Sequence, residues 1–334
     1  MTEPRDSEVV ASISVLGDIF IDTVVKPAVD TEGWERPSLV IQTLGGFGAN
    51  VCRWACALGV RTNLVGSVGV ADLSWVQNQL ASCCSVEGLT GCSLRTGICV
   101  SIVSDDGERQ LFYERGANDM DRTQELSTVL GRLNPKVFSL YSFNEFQGDM
   151  LIRERSQHAE ASAHNPPLLL DLGSTHSVTL SPNLEVLIPQ LSILKGNVSE
   201  WRVLLNRDGL QEALTRSDVT MVATRGRLGL MARDPRGTSW CVRPRFSVRS
   251  PDTTGAGDAS LAGLLSALDG RSDLPTASAR AVAAGAVSVG FVGPYPHAPC
   301  VEVAAMVNEA LSNVQVDPLG HMSITEFLQR AAEH

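Results

Sequence analysis

The residues best suited to chemistry lie in Asp252-Thr253-Thr254-Gly255-Ala256-Gly257-Asp258. An apolar helical stretch follows at once, Ala259-Ser-Leu-Ala-Gly-Leu-Leu-Ser-Ala-Leu268. The glycines therefore sit at a helix start, where backbone N–H groups have no partner within the helix and the helix dipole favours an anion. Such a turn can cradle a phosphate. A carboxylate at Asp258 is placed to take a proton from a hydroxyl that attacks a γ-phosphate. Phosphoryl transfer otherwise asks mainly for positioning and charge neutralisation. The same residues also fit a plain glycine-rich turn, with Asp258 as an N-cap or first-turn acid, and composition alone does not choose.

Other segments decide the matter by their company. Gly45-Gly46-Phe47-Gly48-Ala49-Asn50 precedes a short alanine- and cysteine-rich helix that stops at Leu58-Gly59. Gly17-Asp18, with Asp22 just beyond, ends an apolar run. Val65-Gly-Ser-Val-Gly69 leads to Asp72, and Gly116-Ala-Asn118 follows a β-like stretch. Asn197-Val-Ser-Glu200 places an amide and a carboxylate three apart, on one face of a helix start. Thr224-Arg-Gly226 ends another apolar run. Gly46-x-Gly48 hints at a dinucleotide turn, but Val51 stands where the third glycine belongs. No GxxxxGK[ST] occurs, which removes the P-loop.

In this order, over roughly residues 11–310, these segments resemble the PfkB (ribokinase-like) family of carbohydrate and nucleoside kinases. Asp252–Asp258 is similar to the family's C-terminal signature and Gly45–Asn50 to its N-terminal one. The resemblance implies an ATP-dependent phosphotransferase with Asp258 as general base and Gly255, Ala256 and Gly257 as the anion hole. It implies that Asp18, Gly45, Gly46, Asn50 and Asn118 bind the acceptor; a carboxylate such as Asp18 can hold two adjacent hydroxyls of a polyol. Asn197, Thr224 and Gly226 would serve the nucleotide side, with adenine between the loop after 226 and the segment 284–297. Glu200, with Asn197, would hold water ligands of Mg2+, an ion that keeps much of its hydration. Asp252 and Thr254 resemble a loop that binds a monovalent cation, potassium in many relatives, completed by backbone carbonyls near 287–297. The chain departs from the family at Arg249-Ser-Pro251, at Ser260 and at Leu73-Ser-Trp75, which bears on the shape of the acceptor pocket. A hydroxymethyl group of a sugar or sugar-like molecule is the expected acceptor. A nucleoside is the alternative, with Phe20, Trp34, Phe47 and Phe112 available for stacking; a silent sugar- or nucleotide-binding regulator is a third.

The elements that must carry these residues alternate. Val9–Leu16, Thr62–Gly66, Val137–Tyr141, Leu168–Asp171, Leu191–Leu194 and Val219–Ala223 read as short buried strands separated by helix-length segments. Residues 49–59 read as a helix. That rhythm predicts an α/β fold, a three-layer α/β/α arrangement on a mainly parallel sheet. Residues at about 23–44 and 95–117 look like antiparallel β, the second turning at Ser104-Asp-Asp-Gly107, and predict a small β lid. Exposed lid strands are sheet edges, so a homodimer through the lid is expected. The kinase domain is expected over 9–312, with 313–334 a polar tail ending in a helix at 323–333.

The whole chain fits these expectations. Its 334 residues are 43% apolar and 19% charged, enough for a sizeable core. The net charge is −10 and no run of Lys or Arg offers a nucleic-acid groove. No CxxC pair exists among the eight cysteines, which read as reduced thiols rather than a zinc site. The polar N-terminus is unlike a signal peptide, no apolar run reaches a membrane span, and the cytoplasm is the expected location.

Overall fold

A computed structural model describes residues 13–27, 38–104, 109–120, 137–141, 167–173, 184–207, 209–247, 250–269, 271–296 and 298–333. The strands run β1 (Ile13–Leu16), β2 (Phe20–Pro27), β3 (Ser38–Gly45), β4 (Thr62–Gly69), β5 (Cys84–Cys92), β6 (Gly97–Val103) and β7 (Arg109–Glu114). They continue with β8 (Val137–Tyr141), β9 (Leu168–Asp171), β10 (Ile193–Asn197), β11 (Thr220–Thr224), β12 (Leu230–Arg233), β13 (Thr238–Pro244) and β14 (Val314–His321). The helices are α1 (Phe47–Ala57), α2 (Leu73–Leu80), α3 (Leu184–Leu187), α4 (Val198–Leu205) and α5 (Leu210–Thr215). Then come α6 (Ala256–Asp269), α7 (Leu274–Ser288), α8 (Cys300–Leu311) and α9 (Ile324–Ala331).

One sheet has the order β14-β13-β12-β11-β10-β9-β8-β1-β4-β5. From β11 to β5 every neighbouring pair is parallel; β12, β13 and β14 are added antiparallel. Parallel strands covered on both faces must be apolar throughout, and β1 and β4 are buried along their whole length. Trp54 of α1 anchors the core on one face, with Leu261, Leu264 and Leu265 of α6. Trp201 of α4 anchors the other, with Leu210 of α5 and Phe327 of α9. The expected three layers are therefore present.

The main difference from expectation lies after residue 312. Val314–His321 is the edge strand of the large sheet, paired with β13. Pro318 and Gly320 make that stretch look like loop, yet an edge strand tolerates both because one side of its backbone needs no partner. The helix beyond it is present as α9. Smaller shifts concern α1, which begins two residues earlier than the apolar pattern implies, and β4, which continues to Gly69. Residues 9–12 of the first expected strand lie outside the described residues.

The lid is a four-stranded sheet, β3-β2-β6-β7. Its root is held by side chains rather than by sheet pairing. The Asn118 amide reads the backbone of Ile19 in both directions, accepting from its N–H at 2.9 Å and donating to its carbonyl at 3.0 Å. Arg115 grips Asp18 with both terminal nitrogens, at 2.8 and 2.9 Å, and donates from Nε to Asp119 at 2.6 Å. The entry to β2 and the exit from β7 are thus tied together. Thr96, just before β6, donates to Asp72 at 2.5 Å and accepts from the Gly69 N–H, tying the lid to the end of β4.

Burial pushes the Asp18 carboxyl above its usual range, and the Arg115 charge and hydrogen bonds pull it back. Arg115→Ala removes the pull, so the ionised carboxylate is left buried without its counter-charge. A raised folded pKa favours the folded state below it and penalises folding above it. The variant should lose roughly 1.5–3 kcal/mol near neutral pH, the scale of hydrogen bonds to a charged group. The loss should shrink as the pH falls and Asp18 takes up a proton. Urea midpoints of both proteins compared between neutral and mildly acidic pH check this; a loss independent of pH would contradict it.

Candidate active site

The residues singled out in the sequence gather at the carboxyl ends of the parallel strands. That is the usual crevice of open α/β sheets, where neighbouring connections leave the sheet in opposite directions. Here the reversal lies at β1, which is flanked by β4 and by β8.

The turn before α6 is set by a buried carboxylate. Asp252 has no exposure. Its Oδ1 accepts from the Thr254 N–H at 2.8 Å and the Thr254 hydroxyl at 2.6 Å, and its Oδ2 from the Gly293 N–H at 2.7 Å. Gly255 follows at φ +75°, and a Cβ there would lie 2.5 Å from the Pro294 carbonyl oxygen. Only glycine fits both the left-handed backbone and the close approach. Gly257 is exposed, with open space where a side chain would be, so the start of α6 is accessible. Asp258 is half-buried beside it.

Gly45, Gly46 and Asn50 face this turn from the other side. A Cβ on Gly45 would run into the Asp22 carboxylate, and one on Gly46, at φ +84°, would lie 2.5 Å from the Asp18 carbonyl oxygen. The two glycines let the α1 start press against the lid root. Asn50, nearly fully buried, then donates from Nδ2 to Asp258 Oδ2 at 2.8 Å, across 208 residues of sequence. Its Oδ1 is buried with no hydrogen-bond partner. Asp18 is half-buried within this group, and Asn118 spends both ends of its amide on backbone.

A second group lies along β10 and β11, where Asn197 and Thr224 are paired in register. Asn197 and Glu200 form a reciprocal capping box at the start of α4. Asn197 Oδ1 accepts from the N–H groups of Ser199 and Glu200, while Glu200 accepts from the Asn197 backbone and amide nitrogens at 2.7 Å each. Burial, then the nearby Asp171 charge, pushes the Glu200 carboxyl up to about 7, against the pull of the Asn197 hydrogen bonds and Lys195. Gly226 lies beyond Thr224 at φ +53°, with open space at its Cα.

Two residues that sequence reasoning passed over link the groups. Lys195 Nζ donates to Asp171 Oδ2 at 2.5 Å and to the Gly257 carbonyl oxygen at 3.3 Å, and both side chains are buried. A charged pair is therefore strung from the centre of the sheet to the proposed anion hole. The signal was available: a lysine inside the apolar run Ile193–Asn197 must be paired to be buried. Arg115 was passed over as well, since its fork on Asp18 joins positions 97 apart in sequence.

Comparisons with known proteins agree with this geometry. Residues 10–299 match the pfkB family carbohydrate kinase. Fructokinase-1 of Oryza sativa subsp. japonica is 27% identical over 91% of this chain and 99% of its own length. Among solved structures, a Burkholderia thailandensis nucleoside kinase in complex with inosine superposes with a TM-score of 0.73 at 20% identity, covering 90% of this chain and 99% of that one. Thermotoga maritima ribokinase gives 0.68 at 21%, covering 91% and 100%. The two structures share the fold; the family assignment rests on the match over residues 10–299. The chain belongs to the pfkB family of carbohydrate kinases, phosphotransferases that act on sugar hydroxyls.

Proposed function

We propose that this kinase moves the γ-phosphate of ATP to a hydroxymethyl group of a sugar or sugar-like acceptor, with Asp258 as general base. The Asn50–Asp258 hydrogen bond carries the reading. It puts the only atom of Asn50 that lacks a partner, Oδ1, beside the carboxylate that would take the proton. A hydroxyl donating to that oxygen lies within reach of Asp258. A positioned base of this kind contributes about 10²–10⁴-fold. Gly255, Ala256 and Gly257 form the anion hole for the transferring group, and Asp18 holds further hydroxyls through the lone pairs that Arg115 leaves open.

Asn197, Thr224 and Gly226 serve the ATP phosphates. Mg2+ fits the same side. Asp171 and Glu200 are two buried carboxylates with Lys195 nearby, and the Glu200 carboxyl is raised by burial and then by the Asp171 charge, which a cation would offset. Glu200 and Asn197 would hold the ion's water ligands; when bound, it neutralises charge on the phosphates. Asp252 is a fully buried carboxylate whose hydrogen-bond donors are all neutral, which suits a monovalent cation such as potassium beside Thr254 and the 293–296 backbone.

A nucleoside acceptor is the second reading. Phe20 and Tyr113 meet edge to face at the lid root, ring centroids 6.3 Å apart, and offer an aromatic wall to a base. Phe47 is buried in the core and unavailable for this, and Trp34 lies outside the described residues. We also propose that two lids pair, because Leu39, Val40, Leu111, Phe112 and Tyr113 are exposed on the lid sheet.

Asp258→Asn should fold and bind ATP yet lose about 10³-fold or more in rate, the scale of removing a central catalytic group. Coupled ADP release over a panel of sugars and nucleosides checks the rate and separates the two acceptor classes. Near-normal turnover in the variant would exclude Asp258 as the base. Sedimentation at micromolar concentration should show a dimer; a pure monomer would dismiss lid pairing.

A further inference from the structure

Away from the crevice, five of the eight cysteines collect between α1, the loop before β5 and the start of α8. Cys52 and Cys56 lie one turn apart on α1, so they share a face. Cys83 and Cys84 are adjacent at the entry to β5. Cys52 meets Cys84 in the interior, where both are buried. The outer pair is different. The Cys56 thiol donates to the Ser82 carbonyl at 3.7 Å, which seats it on the peptide that leads into Cys83, and the Cys83 thiol lies against it. Both are half-buried, and Cys300, exposed at the start of α8, completes the cluster.

We propose that Cys83 and Cys56 are a peroxide-reactive dithiol, Cys83 the nucleophile and Cys56 the resolving thiol. The chemistry needs a thiolate within reach of both solvent and a second thiol. Cys83 meets both requirements. The neighbouring Cys56 thiol, then the Ser82 hydroxyl and the Arg53 charge, draw the Cys83 thiol down to about 6 against the effect of burial. The proximity of Cys83, with burial, holds the Cys56 thiol protonated, well above the usual range. Ser82 Oγ lies 3.7 Å from the Cys83 sulfur. Cys300 also neighbours Cys56 and lies 3.8 Å from the Tyr295 hydroxyl, on the exposed side of the cluster.

The reaction proceeds in two steps. The Cys83 thiolate attacks the O–O bond of hydrogen peroxide, giving a sulfenic acid and releasing hydroxide. Cys56 then attacks the sulfenic sulfur, forming the S–S bond and releasing water with its own proton. The dithiol is oxidised by two electrons and the peroxide reduced. The bridge would staple α1 to the loop ahead of β5. Asn50 lies six residues before Cys56 on that helix, about 9 Å along its axis. The site is independent of the acceptor, and its test needs neither acceptor nor nucleotide.

The full chain, reduced and desalted, is exposed to limiting hydrogen peroxide near pH 7 and mapped by non-reducing peptide mass spectrometry. The first product should be the Cys56–Cys83 disulfide, reversed by dithiothreitol. It should form about tenfold or more faster than any oxidation of Cys92, Cys99 or Cys241, the scale expected for a thiol drawn toward the thiolate. In Cys56→Ser, Cys83 should stop at the sulfenic acid and be captured by dimedone. Equal oxidation of the half-buried cysteines would overturn the proposal. So would a leading Cys56–Cys300 or Cys83–Cys84 bridge, or no dimedone adduct at Cys83 in the variant.

Discussion

The site depends on one carboxylate that has no access to water. A buried charge is tolerated only when its oxygens are fully hydrogen-bonded, and Asp252 achieves this with its own loop and with Gly293. Those bonds bring the 293–296 segment against Gly255. The same segment is held from beyond by Trp54, which donates from Nε1 to the Pro294 carbonyl at 3.0 Å and packs edge to face on Tyr295. α1 and the turn before α6 are therefore fixed to a common support. Asn50 meets Asp258 because both helices are anchored there, not because the two side chains attract strongly.

The lid follows a related logic at its root. Three polar side chains, Asp18, Arg115 and Asn118, bind the two crossings between sheet and lid. Asn118 uses its whole amide on backbone, which makes it a hinge clamp. Asp18 carries two loads: it anchors the lid through Arg115 and faces the proposed acceptor. On the proposed role of Asp18, binding of hydroxyls and the anchoring of the lid would be felt by one carboxylate, which would let closure report on occupancy.

Much of this was legible beforehand where local rules act. The parallel sheet showed in the spacing of apolar runs, and the lid in the alternation of Ile98, Val100 and Ile102. The turn at 252–258 showed because its glycines stand directly before an apolar helical stretch, and at Gly255 the structure adds the reason, a positive φ and a close backbone. What escaped depends on partners far along the chain. Nothing near Arg115 says that Asp18 will lie under it, and nothing near Val314–His321 says that β13 will offer an edge. Asn197 and Glu200 were readable as an amide and a carboxylate on one face of a helix start, and the structure joins them there in a capping box. The upward pull of burial and of Asp171 on the Glu200 carboxyl was not readable, since Asp171 lies 29 residues away at the end of β9.

The long reach of the Asn50–Asp258 contact has a consequence for the order in which competence arises. It closes a loop of 208 residues, one of the non-local contacts whose closure entropy must be met before the site exists. A chain that has built its central strands and lid but has not seated α6 holds neither the turn for the phosphoryl group nor the carboxylate for the hydroxyl. On the proposed chemistry, a half-assembled molecule cannot spend nucleotide on water. On that chemistry, activity requires the docking of α6 that also fills the core, so a folding check and a chemical check coincide in one helix.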